Sequence, residues 1–125
     1  MADEQEVIDW DEAMEQCGGD EEFLHELLGD LKEELETQIK KIEAAMKPKV
    51  LLLNIRSAAH VVKGAAANLM CEELRLVAYD LEMVAKNAPS DEPVTEALER
   101  DLQTKFAKFK MAGDRFQKYV EELDI

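Results

Sequence analysis

Apolar residues recur at every third or fourth position along most of the chain, which is the spacing of amphipathic helices. The clearest runs are Leu24, Leu27, Leu28, Leu31, Leu35, Ile39 and Ile42, and later Leu98, Leu102, Phe106, Phe109, Phe116, Val120 and Leu123. No segment alternates apolar and polar residues in the way that a half-buried strand does. The pattern therefore predicts an all-α fold.

Glycine and proline interrupt this pattern at 18–19, 47–49 and 88–93, and a softer break lies at 68–71. The breaks predict five helices, at about 9–16, 20–46, 48–68 and 71–87, and after Pro93. Four of them are long and joined by short connections, which is typical of an antiparallel four-helix bundle, and the short extra N-terminal helix is expected to cap one end. Gly113, inside the last apolar run, predicts a close contact between helices. We expect residues 1–125 to form a single domain.

The charge of the chain excludes several classes of partner. The formal net charge is -14 at pH 7, whereas sequence-independent binding to nucleic acid needs lysine and arginine to displace counterions. An anionic membrane surface is disfavoured for the same reason. No run approaches the ~20 apolar residues of a membrane span, and the acidic N-terminus lacks a signal-peptide pattern.

Cysteine usage points to a reducing compartment. Cys17 and Cys71 are too few for a disulfide framework and do not have the spacing of metal ligands. We therefore expect a cytoplasmic protein, and its size would allow it to enter a nucleus by diffusion. We also expect it to be a monomer. Cys71 has no basic neighbour in sequence that would activate it, and a structural role is expected.

His60 is the residue with the most distinctive chemistry. The helical wheel places the apolar stripe of its segment at Ile55, Ala59, Val62, Ala66 and Leu69. His60 points away from that stripe, into solvent, beside Lys63 and Gly64. A solvated imidazole is mostly neutral at neutral pH and can attack phosphorus. Phosphoryl transfer requires mainly that the reacting groups are positioned and that the charge of the phosphoryl group is stabilised. An ordinary surface histidine is the alternative, but the cation and the missing side chain beside His60 favour a phosphoryl acceptor.

Further residues on the same helix bear on this site. Arg56 lies one turn before His60 and could also support the phosphoryl oxygens. Asn68 is most simply the C-terminal residue of the helix, and a position bordering the phosphoryl site is the alternative. Ala67 is small and lies two turns beyond His60. None of the neighbours of His60 on its own helix is acidic.

Several short motifs together resemble the histidine-containing phosphotransfer (HPt) family. Residues 8–13 and 18–22 are similar to the family's usual opening. Ala58-Ala59-His60 followed by Lys63-Gly64 is similar to its core motif, and Glu73-Leu74 to the start of its following helix. Two features differ: Ala65 and Ala66 stand where the family often has Ser, and Met70 stands where it commonly has Gly. These positions bear on the hydroxyl contacts of the site and on the turn after the third helix.

The resemblance implies a phosphorelay intermediate of two-component signalling. His60 would accept a phosphoryl group on Nε2 from an aspartate on the receiver domain of a hybrid histidine kinase, and pass it to a receiver aspartate on a response regulator. Lys63 and Gly64 would flank the phosphoryl group. No cofactor is expected on this chain, since the Mg²⁺ belongs to the receiver, and the chain has no glycine-rich nucleotide loop with which to use ATP as a kinase. A helical adaptor that binds receiver-like partners without phosphotransfer is the alternative.

The docking surface is expected around His60. Leu53 lies two turns before it on the same outward face, and Phe23, Leu27 and Ala67 could extend an apolar contact, although Leu53 could instead be tucked under a neighbouring helix.

A metal-binding bundle is a weaker candidate. Glu22-Phe23-Leu24-His25 has the Glu-x-x-His spacing of di-iron bundles, but the second such pair is incomplete, so no metal is expected and His25 is interpreted as a surface residue.

Overall fold

The computed structural model describes residues 7–89 and 92–123. In this part of the chain lie five helices: α1 (Trp10–Gln16), α2 (Glu21–Met46), α3 (Leu52–Asn68), α4 (Glu72–Asn87) and α5 (Glu96–Glu122). The long helices pack in the order α2, α3, α4, α5, and α5 closes the ring by packing on α2. The predicted all-α antiparallel four-helix bundle with a short extra N-terminal helix is confirmed. None of the described helices is both long and apolar enough to span a membrane.

Side-chain caps fix where three of the helices begin. Asp9, Asp20 and Thr95 precede α1, α2 and α5, and each accepts a hydrogen bond from the backbone N–H three residues later, at 3.1–3.2 Å. Gly18 and Gly19 follow α1 with φ of 70° and 78°, a conformation that favours glycine and turns the chain into α2. The predicted bounds of α1 and α2 agree with these caps.

The third helix begins later than the sequence predicts, at Leu52 instead of residue 48 or 49. Lys47 is extended, as the residue before a proline tends to be, and α2 therefore ends at Met46. The backbone N–H of Leu51 then donates to the carbonyl of Ala45 at 2.8 Å. This bond folds the chain back over the end of α2, so the intervening residues form the connection.

The core contains the apolar stripes predicted for α2, α3 and α5, although Leu98 and Leu123 at the two ends of the α5 stripe are half-buried. In α4 the fully buried positions are Leu74, Ala78, Leu81 and Ala85, while Val77 and Val84 lie half-buried at the edge. In α2, Leu27 and Ile39 are also half-buried, packed against the core. The close contact predicted at Gly113 is confirmed, because a Cβ atom there would lie 3.3 Å from Cδ2 of Leu35. A side chain at this position would therefore require Leu35 to shift by a few tenths of an ångström at the seam between α2 and α5.

The turn between α3 and α4 anchors the N-terminal segment. The backbone N–H of Asp9 donates to the carbonyl of Met70 at 2.9 Å, and Ile8 is buried. Met70 has a φ of 58°, in the left-handed region that favours glycine. The sequence departs from the family at this residue, yet the backbone keeps a conformation that a glycine would adopt without strain.

Candidate functional site

His60 lies on the solvent side of α3, as predicted, with 65% of its side chain exposed. The opposite face of α3 is buried through Ile55, Ala59, Val62 and Ala66. Buried alanines bring the backbone of this helix close to its neighbours, which restricts its movement. The imidazole is therefore an exposed group on a firmly packed helix.

Glu82 of α4, which is not among the residues predicted from the sequence, is the hydrogen-bond partner of His60. Its Oε2 lies 2.7 Å from Nδ1 of His60, and its Oε1 lies 2.7 Å from Nζ of Lys63. Only 9% of the Glu82 side chain is exposed. None of the neighbours of His60 on its own helix is acidic, as the helical wheel indicates, and the carboxylate beside it comes from α4.

The charge state of Glu82 decides which nitrogen of His60 carries the proton. Burial raises the pKa of the Glu82 carboxyl, but the interactions with Lys63 and His60 lower it by more, so its net pKa lies below the ordinary value. At neutral pH this carboxyl is therefore ionised. Since an ionised carboxylate only accepts hydrogen bonds, the hydrogen between the two side chains belongs to Nδ1 of His60. In the neutral form of the ring, Nε2 is then the nitrogen with the free lone pair, and this is the form of imidazole that attacks an electrophile.

Gly64 leaves open space one turn beyond His60. A Cβ atom built at this position would meet no atom within 4 Å, and the residue is exposed. Packing within the chain therefore does not require this glycine, whereas Gly113 lies against Leu35. A helical glycine that packing does not require costs about 1 kcal/mol relative to alanine, which favours a role in giving other molecules access to the imidazole.

The two cationic candidates on α3 differ in their surroundings. Lys63 is half-buried, pairs with Glu82, and lies 5.8 Å from the centre of the Tyr79 ring. Arg56 is exposed, one turn before His60. Asn68 is the last residue of α3, about 12 Å further along the helix axis than His60 at 1.5 Å per residue. The geometry brings Lys63 and His60 together through one carboxylate, and it places Asn68 at the far end of the helix.

A groove between α2 and α3 adjoins the end of this face. The residues that line it are Gln16, Cys17, Phe23, Leu27, Asp30, Leu31, Glu34, Ala65, Asn68 and Leu69. Six of these ten residues are apolar, and the two acidic ones are Asp30 and Glu34. Of the predicted docking residues, Phe23 and Leu27 lie in the groove, while Ala67 is half-buried on α3 outside its lining.

Leu53 is exposed to 69%, the largest exposed fraction among the big apolar side chains that the structure describes. It is therefore not tucked under a neighbouring helix, and the alternative interpretation of this residue is wrong. Phe23 is exposed to 46%. Both side chains leave apolar surface in water, as protein contact sites commonly do.

His25 lies apart from this site and is half-buried. Its Nε2 is 3.7 Å from a carboxylate oxygen of Glu21, and its ring centre is 6.0 Å from that of Trp10. His25 is interpreted from the sequence as a surface residue, and its ring is only partly exposed because it packs against Trp10 of α1. Within residues 7–89 and 92–123, no three His, Cys, Asp or Glu side chains are grouped so that they could hold a metal ion.

The two thiols are expected to differ in reactivity. Burial raises the pKa of Cys71 to about 12, so almost none of it is thiolate at neutral pH, whereas Cys17 is half-buried at the groove. We expect a maleimide to label Cys17 at least about 100-fold faster than Cys71 in the folded protein, as followed by intact-protein mass spectrometry. In denaturant both should react alike, and equal rates in the folded protein would contradict the structural role of Cys71.

Comparison with known families agrees with this geometry. The family model described as Hpt domain matches residues 26–123. The matched segment includes the whole of α3 and α4, and with them the cluster of His60, Lys63, Gly64 and Glu82. No match was found among curated proteins.

Proposed function

Since the chain belongs to the Hpt domain family, we propose that it is a phosphorelay intermediate of two-component signalling with His60 as the phosphoryl carrier. The main support is the hydrogen bond from Nδ1 of His60 to the buried Glu82, which leaves Nε2 as the nucleophile on an exposed ring. Phosphoryl groups are proposed to come from a receiver aspartate of a hybrid histidine kinase and to go to a receiver aspartate of a response regulator.

Transfer to His60 needs little from this chain beyond position and charge. The Nε2 lone pair attacks the phosphorus of the aspartyl phosphate in line with the leaving carboxylate oxygen, the P–O bond breaks, and the P–N bond forms. The Mg²⁺ that neutralises the phosphoryl oxygens is held by the receiver, so no cofactor is proposed for this chain. The chain is proposed to carry phosphoryl groups without a kinase activity of its own.

Lys63 and Gly64 are proposed to act on the transferred group. Lys63 is held by Glu82 at rest, within reach of the outward face of α3, and a doubly charged phosphoryl group on Nε2 would compete with Glu82 for it. Arg56, exposed one turn before His60, is proposed as a second cation that supports the phosphoryl oxygens. Asn68, which lines the groove, is proposed as a further polar support for the phosphoryl group. Gly64 leaves the room that an approaching receiver needs.

The receiver is proposed to dock over His60 and along the groove between α2 and α3. A receiver's active site is acidic, and a chain with a net charge of -14 repels it over most of the surface. The face around His60 differs, because the charge of Glu82 is offset by Lys63, and Arg56 is exposed. Leu53, Phe23, Leu27 and Ala67 are proposed as the apolar contacts, and the two acidic residues that line the groove suit a cationic side chain on the receiver.

The proposed function is tested by incubating the chain with a phosphorylated receiver domain and searching for phosphohistidine. A label on His60 that is labile in acid and stable in base is expected, together with loss of phosphate from the receiver. Stable binding of the receiver without any label would instead favour the adaptor. The proposal includes a cytoplasmic monomer, and the mass of the free chain in solution tests its oligomeric state.

Charge placed at the docking residues is expected to weaken receiver binding. Phe23→Asp and Leu53→Asp should each lower the affinity about tenfold, the equivalent of about 1.4 kcal/mol, because Leu53 is 69% and Phe23 46% exposed and each offers apolar surface to the receiver. Isothermal titration calorimetry with an unphosphorylated receiver measures this. Met111→Asp is the matched control, since Met111 is exposed to 58% on α5, diagonally across the bundle from α3. Unchanged affinity in both variants would move the docking surface elsewhere.

A further inference from the structure

Glu82 is placed to act on the phosphorylated form of His60 as well as on the free form. We propose that its carboxylate keeps the proton on Nδ1 throughout the transfer cycle, so that the phosphohistidine exists as a phosphoryl-imidazolium with a high tendency to give up its phosphoryl group. Glu82 is then a positioning residue that sets the lifetime of the carrier state. This inference rests on the proposed function in taking His60 as the residue that is phosphorylated.

The acceptance step leaves the Nδ1 proton where it is. Neutral His60, with its hydrogen on Nδ1, attacks the acyl phosphate of the receiver through Nε2, and the aspartate leaves as a carboxylate with the electron pair of the broken P–O bond. The imidazole ring becomes positive when the P–N bond forms, and the Nδ1–H now lies 2.7 Å from a negative oxygen. An opposite charge at this distance stabilises the imidazolium form.

The donation step benefits from the same proton. When a receiver aspartate or a water molecule attacks the phosphorus, the P–Nε2 bond breaks and its electron pair returns to the ring. With Nδ1 protonated, the leaving group is neutral imidazole. Without that proton it would be an imidazolate anion, which is a far poorer leaving group. For water the products are neutral His60 and dihydrogen phosphate, so the charges balance.

One carboxylate oxygen of Glu82 contacts Nδ1 of His60, and Lys63 contacts the other. Tyr79 of α4 lies under the Lys63 ammonium. Once Lys63 turns toward the phosphoryl oxygens, the imidazolium of His60 is the cation left beside the carboxylate. Within residues 7–89 and 92–123, α2 and α5 add no hydrogen bond or ion pair to His60 or Glu82.

The test uses a small phosphoryl donor, so that it does not depend on a receiver. Phosphoramidate transfers its phosphoryl group to a histidine nitrogen and releases ammonia, and a His25→Gln background leaves His60 as the one histidine in the chain. Hydrolysis of the phosphohistidine is followed by ³¹P NMR across a range of pH. The rate should fall as pH rises through the midpoint at which Nδ1 loses its proton.

In Glu82→Gln that midpoint is expected to move down by about one pH unit, so that hydrolysis at about pH 8 becomes about tenfold slower than in the parent. Glutamine matches the size of glutamate and still accepts a hydrogen bond from Nδ1, but it carries no charge. Glu82→Asp keeps the charge one methylene further away and should give a midpoint between the two. A purely structural role for Glu82 would change the melting temperature and leave the midpoint in place.

An identical pH profile in Glu82→Gln would overturn the inference. If that variant does not fold, ¹⁵N NMR of the phosphorylated protein with the natural Glu82 decides instead, because the inference requires Nδ1 to remain protonated above neutral pH. A chain that shows the shifted profile but takes no phosphate from any receiver would contradict the proposed function and leave the role of Glu82 intact.

Discussion

Replacing His60 by Gln is expected to abolish phosphoryl acceptance and to leave the bundle folded. The carrier nitrogen is lost, whereas the exposed position means that almost no buried contact is removed. Glutamine is preferred to alanine because its amide N–H can still donate to Glu82, so the buried carboxylate keeps a partner. The free energy of unfolding should change by no more than about 1 kcal/mol.

Two measurements on this variant separate the site from the fold. Incubation with a phosphorylated receiver should give no acid-labile label, while circular dichroism and thermal melting should resemble those of the parent. His25→Gln is the matched control and should be labelled as efficiently as the parent, because His25 packs against Trp10 away from the site. A labelled His60→Gln protein would mean that another residue carries the phosphoryl group.

Gly64→Gln is expected to reduce transfer by at least about 100-fold while the protein becomes slightly more stable. A side chain at this position would project beside His60 and hold the receiver's aspartate away from Nε2, and misplacement by about 1 Å can cost that much in rate. No atom lies within 4 Å of a Cβ atom at this exposed position, so the first carbon of the glutamine side chain is accommodated without a clash. Removal of a helical glycine should raise the free energy of unfolding by up to about 1 kcal/mol.

A variant that transfers more slowly but is more stable has lost access to His60 and not its fold. Gly29→Ala in α2 is the control for helix stability, since its Cβ atom would likewise meet no neighbour, and it should stabilise the fold without slowing transfer. Rapid-quench measurement of a single transfer from a receiver gives the rate. Unimpaired transfer in Gly64→Gln would show that clearance at residue 64 is unnecessary.

The elements of the fold could be predicted because local sequence determines them. Asp9, Asp20 and Thr95 are short polar side chains at the points where apolar periodicity begins, and each caps a helix in the structure. The start of α3 could not be placed in the same way. No side chain caps it, and the hydrogen bond from Leu51 to Ala45 that closes the connection depends on how the chain folds back on α2.

The outward direction of His60 also followed from helical periodicity, but its partner did not. Glu82 comes from a different helix, and helical periodicity relates residues of one helix only. A weak signal existed, because Glu82 continues the spacing of Leu74 and Ala78 on the buried side of α4. A carboxylate at such a position requires a charged or hydrogen-bonding partner, although the sequence does not identify that partner.

The hydrogen bond between His60 and Glu82 also bears on the order in which the molecule folds. The two residues are 22 positions apart and belong to consecutive helices, so their contact closes only a short loop. Short loops close at a smaller entropic cost than long ones, and contacts that are local in sequence tend to form early. We therefore expect the helical hairpin of α3 and α4 to bring the imidazole and the carboxylate together before α5 packs on α2. The packing of α5 on α2, which joins distant parts of the chain and is the slow step, would then complete the bundle around a His60–Glu82 pair that has already formed.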